Sequence, residues 1–273
     1  MNTNLVYLYL ISPLHTGGTT QEGNLLGIAR ESHTTLPYIP SSTIRGRLRA
    51  SITERIERVK LFGPELKDIQ DRNFVSAYQQ ETDQKLTQLE QGNLWIGDAS
   101  ILWLPVSSLS HGVVWVSCPM LLQRWARLNA IKTAIPAEYS TNLTTSNPVY
   151  LKDAILKAQD LLAWSNWQDF VPQATETSGI KRVLVLPDQH CATLIQMSLW
   201  RQVKVKLDEH KVVDGGFRYE EAIPPDTVMY FSWGVTSQSN GSAESCRADF
   251  EAFMTAHSIL QIGGQESLGR GFV

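Results

Sequence analysis

Pro40-Ser-Ser-Thr-Ile-Arg-Gly-Arg-Leu-Arg-Ala-Ser-Ile-Thr-Glu-Arg-Ile-Glu-Arg-Val-Lys60 is the stretch from which the fold is read. The preceding Leu36-Pro-Tyr-Ile-Pro40 must be extended, because residues before proline avoid the helical region. Ser41 and Ser42 then mark the clearest helix start in the chain, a serine being able to satisfy an orphan N–H as N-cap. Ile44, Leu48, Ile52, Ile56 and Val59 form one apolar stripe, which predicts a single helix packed on a sheet. Arg45 falls inside that stripe, in the first turn, and so points over the end of the sheet. Arg47 and Arg58 flank one side of it, Arg49 and Lys60 the other. Two readings stand together here. One is a solvated helix with snorkelling arginines. The other is a phosphate site at a helix N-terminus, which suits Arg45 better.

Outward from this helix, residues 5–11 read as a first strand stopped by Ser12-Pro13. A glycine- and threonine-rich loop follows over residues 15–24, then an extended piece over 25–31. Leu61-Phe-Gly-Pro64 ends the helix with glycine and proline. Residues 65–91 are polar and read as an insertion with some helix. Residues 93–105 are a strand expected to break near Gly97-Asp98, 113–117 a short strand, and 119–134 a helix. Residues 136–180 lack a clean period and read as a second insertion, with a helix expected over 151–162. Residues 182–186 are a strand. Val203-Lys-Val-Lys-Leu207 alternates, so Lys204 and Lys206 share a face, and with residues 212–219 it suggests a hairpin arm. Residues 227–233 are a strong strand, and 244–260 a helix with Phe250, Phe253, Met254 and His257 on one stripe, His257 reading as a packed histidine.

The chain closes on a loop with four glycines, Gly263, Gly264, Gly269 and Gly271, and Arg270 among them. Glycines reach positive φ and let consecutive N–H groups face an anion, but a plain strand-end turn explains them equally well. The order of elements is β-α-β-β-α-β, an α+β ferredoxin-like core of the kind found in RNA-binding RRM domains.

Composition limits the choices. The 273 residues allow one large domain or two small ones, and 42% hydrophobic with 19% charged residues is ordinary for a globular chain. The net charge of −3 means that a nucleic-acid surface, if present, is local. Cys118, Cys191 and Cys246 are scattered and odd in number, so neither zinc nor a disulfide framework is expected. No apolar run approaches a membrane span, and no secretory signal is expected at the N-terminus. A cytoplasmic location is the expectation.

Ser12-Pro-Leu-His-Thr-Gly17, Leu36-Pro-Tyr-Ile-Pro-Ser-Ser-Thr-Ile-Arg-Gly-Arg-Leu-Arg49, Leu61-Phe-Gly63 and the closing glycine loop together resemble the RAMP superfamily of CRISPR effector proteins. Arg30-Glu31, Gly92-Asn-Leu-Trp-Ile-Gly-Asp-Ala99, Pro105-Val-Ser-Ser-Leu109, Cys118-Pro119, Phe217-Arg-Tyr-Glu-Glu221 and Leu260-Gln-Ile-Gly-Gly264 are similar to the fourth-subunit family of type III-B (Cmr) complexes. The resemblance implies one domain over residues 1–273. It would be a modified ferredoxin-like palm with a β-hairpin thumb over about 203–221 and helical insertions over about 64–92 and 136–180. It also implies a backbone subunit that stacks with copies of itself along a CRISPR RNA guide, beside other Cmr subunits and a complementary target RNA. The guide contacts implied are His15, Gly17, Ser41, Ser42, Arg45, Arg49, Gly263, Gly264 and Arg270, with Lys204 and Lys206 on the thumb.

Related subunits cut the target with an aspartate in the loop after the first strand. Counting back from Glu31 reaches Leu25 at that position, with Asn24 before it and Glu22 the nearest upstream carboxylate. Leucine neither holds a metal nor moves a proton. A non-cleaving binder is therefore favoured. The alternative is a metal-dependent endoribonuclease that uses Glu22, with Asn24 and His15 as weaker catalytic candidates and magnesium needed only in that case. A further alternative is a stand-alone repeat-processing endonuclease built on His33. No intrinsic cofactor or resident metal site is expected.

Overall fold

The computed structural model describes residues 4–22, 25–143, 146–236 and 243–273. Strand β1 (Asn4–Tyr9) alternates as its sequence demands: Val6 and Leu8 face one layer, Leu5 and Tyr9 the other. The further strands are β2 (Gly17–Glu22), β3 (Leu25–Ile28), β4 (Tyr38–Ile39), β5 (Leu94–Ser108), β6 (Gly112–Ser117), β7 (Ser140–Thr141), β8 (Val149–Leu151), β9 (Ala154–Leu156), β10 (Leu162–Ala163), β11 (Val183–Val185), β12 (Trp200–Leu207), β13 (Val213–Ala222) and β14 (Val228–Val235). The helices are α1 (Ser41–Ser51), α2 (Arg55–Phe62), α3 (Leu66–Gln70), α4 (Arg72–Thr82), α5 (Pro119–Leu128), α6 (Asp188–Ser198) and α7 (Ala243–Ala256).

The large sheet runs β1-β14-β5-β6-β11-β7-β10, with β4 on β5. Beyond the end of β1 the terminal segment meets the chain where Ile11 N–H donates to Phe272 O at 2.8 Å, and among the described residues β1 itself is an edge strand paired with β14. Met229, Phe231 and Trp233 of β14 face α1 and α7, meeting Ile44, Leu48 and Phe250. Val228 and Tyr230 face the opposite layer, built from Leu122 and Trp125 of α5 with Phe170 and Ile180. Trp103, Trp115 and Trp125 fill that second layer, so most of the tryptophan serves packing.

The helix predicted as one piece is two. Ile52 is extended at φ −86°, ψ 112°, and the Glu54 carboxylate caps α2 by accepting from Ile56 N at 2.9 Å and from Glu57 N. The stripe divides accordingly. Ile44, Leu48 and Ile52 enter the main core, while Val59 joins Phe74, Tyr78 and Leu86 in a separate cluster under α4. The break expected at Gly97-Asp98 is instead a bulge in a continuous β5: Ala99 pairs Phe231, but Ile96 pairs Trp233. A side chain at Gly97 would meet Ser232 Oγ at 2.6 Å, so any larger residue there requires the serine hydroxyl to turn away.

Other expectations change as well. Residues 17–22, read as loop, form β2 against β3. The helix expected over 151–162 is the small hairpin β8–β9, a single 3-10 turn at Ala158–Asp160, and β10, because Val149 and Leu151 bury alternate side chains as a strand does. That second insertion also contributes Phe170 and Ile180 to the core. Helix α5 stops at Asn129, before Ala130 at φ 50°. Helix α6 was not anticipated; Cys191, Leu194 and Ile195 bury at helical spacing after Pro187. His257 lies just beyond α7, half-buried, its Nδ1 bonded to Phe253 O at 2.8 Å. Strands β12 and β13 form the expected hairpin, and a second sheet, β12-β13-β3-β2, joins its root to the loop after β1. Among the described residues no helix is long and apolar enough to cross a membrane.

Candidate nucleic-acid interface

The terminal glycine loop is stitched to the start of the chain. Gly264 N–H donates to His15 O at 2.9 Å, and Gly271 N–H to Pro13 O at 3.0 Å. Gly263 sits at φ +84°, where a Cβ would stand 2.4 Å from His15 O. Gly271 sits at φ +78°, where a Cβ would stand 2.0 Å from Ile262 O. Both positions thus require glycine for conformation and for space. The buried His15 ring places Nδ1 at 2.7 Å from Glu221 O. A carbonyl only accepts, so Nδ1 is the donor in this bond.

Around this seam the hairpin root is held by two adjacent carboxylates. Glu220 pairs with Lys204 at 2.7 Å, accepts from Gln265 Nε2 at 2.8 Å and lies 3.5 Å from Arg270 Nη1. Glu221 pairs with Arg30 at 2.5 Å and Arg201 at 3.0 Å. Burial alone raises the Glu220 carboxyl, but the Lys204 and Gln265 hydrogen bonds, with the charges of Lys204 and Arg270, outweigh it and hold the group below its ordinary range. Arg270 is only 4% exposed and donates to Gln265 Oε1 and Gln202 Oε1, each at 2.6 Å. His15, Gly263, Gly264, Arg270 and Lys204 therefore belong to one connected cluster. Lys206 lies further along the hairpin, 78% exposed and 2.8 Å from Asp214. Gly17 opens β2 opposite Ile28 and is exposed.

The helix start differs from the predicted serine cap. Pro40 occupies the cap position without a side-chain bond, and Ser41 N–H donates to Asp98 Oδ1 at 2.6 Å. The β5 bulge thus delivers a carboxylate to the positive end of α1. Ser42 is exposed. Arg45 donates to Phe62 O and to Leu94 O at 3.3 Å, its guanidinium 5.4 Å above the Phe62 ring. Arg49 donates to Phe62 O at 3.1 Å and Gly63 O at 2.6 Å, and to Glu65 at 3.2 Å. Both arginines close the carbonyl end of α2. Among the described residues no hydrogen bond or ion pair joins Arg45 and Arg49 to the His15 cluster.

Leu25 opens β3, opposite Glu22 on one side and Tyr219 on the other. It brings no carboxylate to the position where the count back from Glu31 led to the expected acid. Asn24 lies outside the described residues, and Glu22 is described only in its backbone. Among the described residues no three His, Cys, Asp or Glu side chains gather as a metal site. The carboxylates bordering the loop are already paired: Glu220, Glu221, and Glu31 with Arg124 at 2.7 Å. The described side chains bordering the loop thus offer no unpaired carboxylate to a magnesium ion. Glu220, Glu221, Arg30 and Arg201 had no assigned role in the sequence. The available signal was a pair of adjacent acids ending a strand opposite Arg201-Gln202.

The RAMP superfamily matches residues 7–273. The chain belongs to the RAMP superfamily. Among RAMP proteins it is similar to the CRISPR system Cmr endoribonuclease Cmr4 of Pyrococcus furiosus, at 29% identity over 100% of this chain and 95% of that protein. The crystal structure of oligomeric Cmr4 from Pyrococcus furiosus covers 100% of this chain and 96% of its own, with a TM-score of 0.68 at 25% identity. A chain of type III-B Cmr-beta bound to cognate target RNA reaches a TM-score of 0.72 at 18% identity, covering 99% of this chain and 95% of that one. The α+β ferredoxin-like palm with its hairpin is thus the RAMP architecture.

Proposed function

We propose that this chain is a CRISPR RNA-binding backbone subunit of a type III-B Cmr effector complex in antiviral defence. In this reading it works in the cytoplasm, stacks with copies of itself and other Cmr subunits, and holds guide and target RNA as one domain with the hairpin as thumb. The observation that carries the reading is the cluster where the glycine loop, His15 and the hairpin root meet, with Lys204, Arg201, Arg30 and Arg270 fixed by Glu220 and Glu221. Cations held on a rigid root beside a glycine loop suit a ribose-phosphate backbone and read shape and charge, not base identity. Gly17, Ser41 and Ser42 are further backbone contacts in this reading. Arg45 and Arg49 act there by holding the helix pair that presents the surface.

The test is guide binding across salt for the double variant Lys204→Gln with Lys206→Gln. Loss of two phosphate contacts lowers the log–log salt slope by about 1.4 and weakens binding uniformly across sequences. An unchanged slope would remove the hairpin from the grip.

A second reading, an active endoribonuclease, is favoured by the name of the Pyrococcus relative. It requires magnesium and assigns the carboxylate to Glu22, with Asn24 and His15 beside it. Leu25 speaks against it. Complementary RNA incubated with the assembled complex and magnesium separates the two. A ladder lost in Glu22→Gln supports cleavage; intact RNA rejects it.

A further inference from the structure

The free edge of β1 has a geometry that the RNA-facing cluster does not use. Leu10 sends its N–H to Thr227 O at 3.0 Å and receives Asp226 N–H at 2.7 Å, both on the β14 side. Peptide groups alternate along a strand, so Val6 and Leu8 point the same way, while Leu5, Tyr7, Tyr9 and Ile11 point outward. The Ile11 N–H is taken by Phe272 O. Among the described residues β1 pairs as a strand with β14 only, which leaves the Leu5, Tyr7 and Tyr9 groups as an open ladder.

Hollows of about 380 and 550 Å³ lie along this edge, with Met254 of α7 bordering both and Pro172 bordering the first. An open ladder beside a mainly apolar hollow, the one bordered by Leu8, Val228 and Leu260, matches an extended polypeptide, which presents donors and acceptors at the same repeat. The charge narrows the choice. Glu176 and Glu251 border these two hollows, and Asp169 borders a third at Tyr7. Among the described residues no lysine or arginine lines any of the three. That field repels RNA and attracts a basic segment.

We propose that the β1 edge binds an extended apolar segment of a partner protein, flanked by lysine or arginine, through strand addition. The segment's backbone pairs with Leu5, Tyr7 and Tyr9, its side chains enter the hollows, and its cationic ends face Glu176 and Glu251.

The probe is a lysine-flanked peptide of alternating valine and threonine, titrated into the isotope-labelled protein and followed by amide shifts and hydrogen exchange. The Leu5, Tyr7 and Tyr9 amides are expected to shift and to gain protection of about tenfold or more. The same peptide N-methylated at alternate amides, or flanked by glutamate, should lose the effect. The double variant Glu176→Lys with Glu251→Lys, both at exposed positions, should reverse the preference between flanks. The proposal is overturned if saturating peptide leaves those amides unchanged, or if glutamate-flanked peptide binds equally. It is also overturned if the amides become protected with protein concentration alone, which would assign the edge to a second copy, or if guide RNA protects them.

Discussion

Arg45 reads as a phosphate ligand in the sequence, and in the fold its guanidinium is held as a clasp on two carbonyls. Its N–H groups reach the carbonyls of Phe62 and Leu94, so Arg45→Met should lower unfolding stability by about 1.5–3 kcal/mol, measured by denaturant titration. Wild-type stability in that variant would return Arg45 to the surface. The glycines separate in the same way. Gly263→Ala and Gly271→Ala collide with backbone oxygens and should impair folding. Gly269 is at φ +72° with open space around it, so Gly269→Ala should cost about 1–2 kcal/mol for the left-handed backbone alone. Thermal unfolding of the three variants checks the order. Glu220 adds a pH signature. Its folded carboxyl titrates below the ordinary value of 4.5, so its contribution is complete above that pH and disappears as pH falls through the folded value. Glu220→Gln should flatten this acid limb in a stability–pH profile; an unaltered limb would reject the pairing. At this scale the sequence marked the glycines, which need no partner to be recognised. It hid Glu220 and Glu221, because a buried acid is distinguishable from a solvated one only by cations that arrive from distant parts of the chain.

The helix pair α1–α2 shows how one capping group outranks a periodic stripe. Ile56 and Val59 keep the period of Ile44 and Leu48, yet Glu54 offers its carboxylate to two N–H groups and restarts the helix. Glu54→Ala should cost about 1 kcal/mol and release the protection of α2 before that of α1 in hydrogen exchange. Simultaneous release would mean that the two helices are one cooperative unit. Strand β14 and helix α7 were legible from their own residues, since each buries a face against neighbours of ordinary shape. Strand β2 was not, because Gly17-Gly-Thr-Thr-Gln-Glu22 has no apolar alternation and is strand only through its pairing with β3. The Leu151-to-Leu162 stretch misled because its leucines serve separate short pairings, not one helical face.

Across the whole molecule the hairpin root meets its surroundings through charged pairs, Arg30 with Glu221 and Arg270 with Glu220, whereas the core of the palm is mainly apolar. Replacing residues 205–218 by a short glycine turn, which keeps Gln202, Lys204 and Glu220 in place, should therefore leave palm unfolding nearly unchanged while abolishing the guide-dependent assembly of the proposed function, followed by light scattering with and without RNA. Collapse of the palm would show that the hairpin root is part of its core. The seam between chain start and terminal loop carries one more consequence. Ser12 Oγ accepts the Phe272 N–H across 260 residues of sequence, beside the Pro13–Gly271 and His15–Gly264 bonds. During synthesis the first strand leaves the ribosome long before its closing partner, and so large a separation makes this contact among the slowest to form. His15 and the hairpin root cannot take their final places until residues 263–272 have emerged. A nascent or prematurely ended chain would lack the assembled surface, so under the proposed function RNA engagement would report that translation has passed the glycine loop.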